Sequence, residues 1–424
     1  MLKTNTVFLA LVSLLTAATA FAQTPPTSAA PPRQLTLIEC VERAVANHPL
    51  LKAAQIRLQG SEEFSRHIGA RPNPTLTVQT ENWRAWQQPP FGFSRDIDVF
   101  VYGTQRLEMA GKASRRRELA EQQAGVARSE IEIVRRQLRQ DVTRHYWLAL
   151  QSQTLLEILA ENRGDLDQLM QYTAARVREG YAAESELIRT RLEQQTMLGQ
   201  EAAAALALER AKLDLLKAMG EISFDTKFRL AAPDNATPPL AANPDQLREE
   251  AIRKRPELIR LRARVEAERA NLKLQQANAR SDVEVSAGYK RTGGYNTALA
   301  YVTVPLPFFN KNRAEIGRAA ALATSAEQEL LAEENYIRAE VETAHRAVQS
   351  LAERLKEMQR DFLKQADESR NIALIAYREG ASDLYKLLET QRARNEARLL
   401  YHRTMQELQS ALAELALAVG GETP

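Results

Sequence analysis

The chain has a single cysteine, Cys40, in 424 residues, so no disulfide can form within it. Aromatic residues make up only 6%. No sign of charge prevails either: 57 basic residues stand against 54 acidic ones, and a net charge of +3 gives no case for nucleic-acid binding. Beyond the first 22 residues no run of 18 apolar residues occurs, so that part of the chain offers no transmembrane helix. Catalytic motifs are missing as well, with no G-x-S-x-G, no HExxH and no phosphate-binding glycine loop. The five histidines, His48, His67, His145, His345 and His402, form no i, i+4 pair and no cluster with cysteine. No enzyme, no cofactor and no tight metal site is expected.

Proline is absent between Pro90 and Pro233 and again between Pro307 and Pro424. Inside a helix proline costs about 3 kcal/mol, so both gaps permit unusually long helices, which the wealth of Ala, Leu, Glu, Arg and Gln favours. A helix over 111–179 would be roughly 100 Å long. It could not bury itself in one globular core and needs neighbours along its whole length, which implies coiled packing.

What is present begins with a distinct leader. Lys3 gives a positive start, Val7 to Ala20 is largely apolar, and Ala20-Phe21-Ala22 is a small-x-small site. This reads as a cleaved secretory signal over 1–22. Gln23 follows, so no cysteine stands there to be lipidated, and 23–34 reads as a proline-rich linker. An exported chain of this length without disulfides points to the bacterial envelope.

The mature chain is written twice. Arg178-Glu179-Gly180 and Arg378-Glu379-Gly380 stand 200 positions apart. At that offset Thr143 and His145 match Thr343 and His345, Leu187 matches Leu387, and Gly220 matches Gly420. Upstream, Ala44–Ala54 resembles Ala251–Leu261 with small gaps. The repeats are expected over 35–220 and 245–424, with a linker at 221–244. Each reads as a helix, a punctuated segment, a very long helix, an Arg-Glu-Gly turn and a closing helix.

The punctuated segments alternate with period two. Val283, Val285, Ala287 and Tyr289 alternate with Asp282, Glu284, Ser286 and Lys290. Strands are expected at 282–290 and 297–306 around Gly293-Gly294, and at 75–86 and 97–107 around Pro89-Pro90. Phe100 and Tyr102 fall on the otherwise polar face of the last of these. Trp83, Trp86, Phe91 and Phe93 cluster at the first hairpin's tip and fit an interfacial girdle. Four strands cannot close a barrel, so they are either two soluble hairpins or one protomer's share of an oligomeric barrel.

Together these features resemble the TolC-like outer membrane factors of Gram-negative bacteria. Three motifs are similar to the branch serving heavy-metal efflux of the cobalt–zinc–cadmium and copper–silver type. These are Arg71-Pro72-Asn73-Pro74, Leu107-Glu108-Met109-Ala110-Gly111-Lys112, and the run from Val304 to Arg313, VPLPFFNKNR. The resemblance implies a mainly α fold with a small β part. Long helical hairpins would form a periplasmic α-barrel, and four strands per protomer would join a twelve-stranded outer-membrane β-barrel in a homotrimer. It implies a passive exit duct for metal cations, working with a periplasmic adaptor protein and an inner-membrane pump of the RND type, and set in outer-membrane lipid. Some relatives in that branch carry a lipidated cysteine where Gln23 stands.

The same resemblance places the adaptor-docking tip at Arg178, Gly180, Arg378, Gly380, Ser382 and Asp383. Candidate gate residues are Tyr377, Arg378, Glu379 and Asp383. A plainer reading of the Arg-Glu-Gly turns is a helix C-cap with glycine in a left-handed conformation. Two rivals remain: a channel of this kind serving drugs, solvents or a secreted polypeptide, and a soluble periplasmic coiled-coil scaffold or chaperone.

Overall fold

The structure, a computed structural model, describes residues 33–83, 90–232 and 243–421. The leader, most of the proline-rich linker, Trp86 and Pro89 lie outside the described residues. The first half runs β1 (Arg33–Leu35), α1 (Leu37–Asn47), α2 (Pro49–His67), β2 (Thr75–Glu81), α3 (Phe93–Asp96), β3 (Asp98–Leu107), α4 (Lys112–Arg178) and α5 (Glu184–Ala218). The second runs β4 (Phe228–Leu230), α6 (Pro244–Lys254), α7 (Pro256–Asn278), β5 (Val283–Thr292), β6 (Tyr295–Thr303), α8 (Arg313–Glu357), α9 (Leu363–Arg378) and α10 (Leu384–Val419).

Each half opens with two helices where the sequence reads as one. His48 and Arg255 precede prolines, which push them into extended backbone and break the helix. The proline then serves as the first helical residue, where its missing N–H is no loss. A capping box at Thr36 and Glu39 fixes the start of α1.

α4 is unbroken over 67 residues. Its counterpart is not: a π turn at Met358–Phe362 separates α8 from α9. Around α4 pack α1, α2, α5, α7 and α10. Midway along it, Val142 and Tyr146 bury against Cys40, Leu215 and Met219. Burial of each such apolar side chain contributes roughly 1.5–3 kcal/mol. Burial also pushes the Cys40 thiol up to about 12, so it stays protonated.

β1 and β4, which the sequence reading lacks, pair in parallel beside this core. Tyr146 Oη lies 2.5 Å from Ala231 O, and the Gln153 amide both donates to and accepts from the Leu230 backbone. An ionic cluster at the end of α10 joins the two halves. Arg136 pairs with Glu257 at 2.8 Å, while Arg255 pairs with Glu340 at 2.9 Å and donates to Ala418 O at 3.0 Å. Cations at a helix C-terminus face the negative end of its dipole.

The other strands form one antiparallel sheet in the order β2-β3-β5-β6. β6 ends at Thr303, short of the expected 306, because Pro305 cannot donate to a ladder. Register sorts the side chains into two faces. One face carries Leu76, Val78, Val99, Val101, Val285, Ala287, Tyr289, Ala298, Ala300 and Val302. The other carries Gln79, Glu81, Asp98, Arg106, Glu284, Ser286 and Lys290, with Phe100 and Tyr102 among them. Lys290 lies 5.4 Å from the Phe100 ring, and Tyr102 meets Tyr301 edge to face at 5.7 Å. The outer edges of β2 and β6 have no strand partner among the described residues.

Candidate functional site

The two Arg-Glu-Gly turns have one geometry. Gly180 N donates to Val177 O and Tyr181 N to Arg176 O. Gly380 N donates to Tyr377 O and Ala381 N to Ala376 O. Both are Schellman caps, with the glycines at φ +80° and +76°. Asp383 caps α10, its carboxylate accepting from Lys386 N at 2.9 Å, whereas Ala183 gives α5 no side-chain cap.

Between the turns sits Tyr377, 1% exposed. Its hydroxyl donates to Glu186 Oε2 at 2.9 Å and lies 3.5 Å from Thr173 Oγ1. Arg176 donates to Tyr377 O at 3.1 Å and stacks 5.0 Å over its ring, with Tyr172 edge-on at 6.0 Å. Three helices therefore meet on one side chain: α4 through Thr173 and Arg176, α5 through Glu186, and α9 through Tyr377 itself. Burial, reinforced by the hydrogen bond to Glu186, raises the Tyr377 pKa, so the phenol stays a donor at neutral pH.

Of the other gate candidates, Arg378 stacks 6.0 Å from Tyr172. It lines a recess of about 280 Å³ together with Asp165, Arg370 and Gln391. Glu379 is exposed within the turn, and Asp383 is occupied by its cap, so neither joins the Tyr377 cluster. Among the docking candidates, Arg178, Gly180 and Gly380 are exposed. Ser382 lines a groove of about 440 Å³ between α9 and α10 with Ile372, Ala376 and Lys386. Above the tip, Asp165 lies 3.4 Å from Arg394 and 3.5 Å from Arg370, and Glu161 takes Arg398 in a bidentate pair at 2.8 and 2.9 Å.

Thr173, Arg176 and Glu186 were not singled out from sequence. A signal for them exists, since at the offset of 200 they face Ala373, Ala376 and Lys386, while Tyr377 faces Val177. The contact is built where the repeats disagree. Among the described residues no group of three or more His, Cys, Asp or Glu is set to hold a metal ion.

A sheet with one apolar face and two open edges, continued by helices about 100 Å long, defines one wall segment of a channel. The sequence profile of the outer membrane efflux protein family matches residues 40–221 and 247–421, and the chain belongs to that family. The chain is similar to the cobalt-zinc-cadmium resistance protein CzcC of Cupriavidus metallidurans, 23% identical over 369 residues that cover 87% of this chain and 85% of that one. The fold is also that of the outer-membrane channel OprN, with 19% identity, a TM-score of 0.75 and coverage of 92% and 91% of the two chains. CusC gives 16% identity, a TM-score of 0.74 and coverage of 91% and 92%. The protein is an outer-membrane exit duct of the TolC-like fold, a passive channel and not an enzyme. Family membership sets aside the soluble-scaffold rival, which left the strands unaccounted for.

Proposed function

We propose that three copies of this chain close one duct that carries heavy-metal cations out of the cell. Closure with other copies is supported by the open sheet, and the number three by membership of the outer membrane efflux protein family. Backbone groups on the free edges of β2 and β6 would each cost several kcal/mol in hydrocarbon unless another copy pairs with them. Three sheets of four strands make a closed, even-numbered barrel. The direction of β6 suits an antiparallel seam with a neighbour's β2.

Metal cargo is supported by the similarity to a cobalt-zinc-cadmium resistance protein and by the branch motifs. The duct works with a periplasmic adaptor and an inner-membrane RND pump that supplies the energy. The adaptor docks at the tip, on Arg178, Gly180, Arg378, Gly380, Ser382 and Asp383. The gate is held by Tyr377 and Arg378, joined by Thr173, Arg176 and Glu186, with Glu379 and Asp383 at its rim. Cleavage after Ala22 leaves Gln23 first and unlipidated, which the intact mass of the mature protein tests.

The test of cargo is intracellular metal content in an in-frame deletion strain, challenged in turn with cobalt, zinc, cadmium, nickel, copper and silver. Accumulation of one metal group, reversed by the restored gene, is the expected result. Unchanged metals with lost tolerance to drugs or solvents would overturn the cargo and keep the duct.

A further inference from the structure

The helix end of the sheet carries features that the duct itself does not use. β6 stops at Thr303, yet its apolar alternation continues: Val302, Val304, Leu306 and Phe308 are all exposed, Phe308 by 73%, and Phe309 is fully exposed. The intervening Pro305 and Pro307 have no N–H. An extended segment past the last ladder bond would otherwise bring two unpaired donors into an apolar layer. At the end of β3, Leu107 and, two residues on, Met109 are exposed as well. Leu107 and Val302 stand on the face of Val78 and Tyr289, perpendicular to the edges where another copy would pair, and Val304 and Leu306 keep their alternation.

Just beyond this apolar band lie Arg71, Arg280, Lys311 and Arg313. All four are exposed, and none makes an ion pair or side-chain hydrogen bond among the described residues. The acids of the same rim are taken by other cations. Glu108 pairs with Arg116, Asp282 with Lys112 at 2.7 Å, and Glu284 with Arg106. An apolar band followed within a few residues by unpaired positive charge matches the order of acyl chains and phosphates at a bilayer surface.

We propose that this rim binds anionic phospholipid of the periplasm-facing leaflet. Residues 304–309 insert among the chains, and the four cations hold the headgroup phosphates. The segment is thus an attachment additional to the strands. The proposal rests on the sheet's apolar face being its lipid face.

The test uses full-length protein in vesicles, labelled with an environment-sensitive fluorophore at F309C or, as control, at Y289C in the middle of the sheet. Cys40 is buried and leaves the label specific. Brominated lipids are expected to quench both positions. The assembly is expected to retain phosphatidylglycerol over phosphatidylcholine, an excess that falls roughly tenfold or more in K311Q/R313Q. Quenching at 289 without quenching at 309 overturns the insertion and leaves the membrane sheet standing. Absence of quenching at both removes the membrane reading and this proposal with it. Quenching at 309 with a lipid excess unchanged in K311Q/R313Q overturns the headgroup recognition.

Discussion

Tyr377→Phe removes one oxygen from the tip and little else. The ring keeps its contacts with Tyr172 and Arg176. The Thr173 hydroxyl, 3.5 Å away, already bonds Leu169 O at 2.9 Å and loses little. The loss falls on the 2.9 Å bond to Glu186. A hydrogen bond to a charged group contributes roughly 1.5–3 kcal/mol, and Glu186 is half-buried and can turn to water, so the lower end applies. About 1.5 kcal/mol shifts a closed–open balance about tenfold per protomer. If three tips open together the factors multiply to about a thousandfold. Conductance of the purified assembly in planar bilayers reads this directly, and vancomycin sensitivity of cells reads it in place. Both are expected to rise in Tyr377→Phe and in Glu186→Gln. Wild-type conductance and tolerance in a normally assembled Tyr377→Phe protein would refute the reasoning, because the buried hydroxyl would then hold nothing closed.

Three further outcomes are expected. Gly288→Ala places a methyl 2.2 Å from Val101 O and 2.4 Å from Tyr102 Cα, so the sheet cannot form as it stands; heat-modifiable mobility on gels should show loss of the assembled barrel. Arg255→Ala takes one of two cations from Glu340 and Glu257, leaving both to Arg136, and should lower stability by about 1.5–3 kcal/mol in chemical denaturation. Burial, and secondarily Arg398, holds the His402 pKa below 6.5 against the opposing pull of Glu161. The unfolded chain therefore binds a proton that the folded one resists, and stability falls as pH drops below 6.5. Protection factors of α10 amides, taken against the intrinsic exchange rate at each pH, should fall between pH 7 and about 5.5, and His402→Gln should lessen that fall.

Long-range architecture was legible because it rests on single residues with strong backbone preferences. The proline gaps marked α4 and the α8–α9 run, and Gly180 and Gly380 marked their ends. The alternation of β5 was legible for a similar reason, since period two needs only one apolar face. β1 and β4 were not, because three residues carry no period and their pairing is decided by Tyr146 and Gln153 far along the chain. The π turn at Met358–Phe362 left no trace either: the repeats align across it without a gap. At the tip Tyr377 was found through its turn, whereas Thr173, Arg176 and Glu186 lie on other helices and needed the fold to bring them near.

That π turn also gives the two walls different mechanics. α4 is a continuous rod from the sheet to its tip. The opposite wall is jointed about 20 residues short of Arg378, which leaves a lever about 30 Å long. A bend of about 10° at the joint carries that tip about 5 Å, comparable to the rise of one helical turn. Hydrogen-bonded i→i+5 geometry can yield there without breaking the helix on either side. One wall acts as a strut and the other as an articulated arm, so a subunit built from two copies of one plan can stay upright on the first while it swings the second.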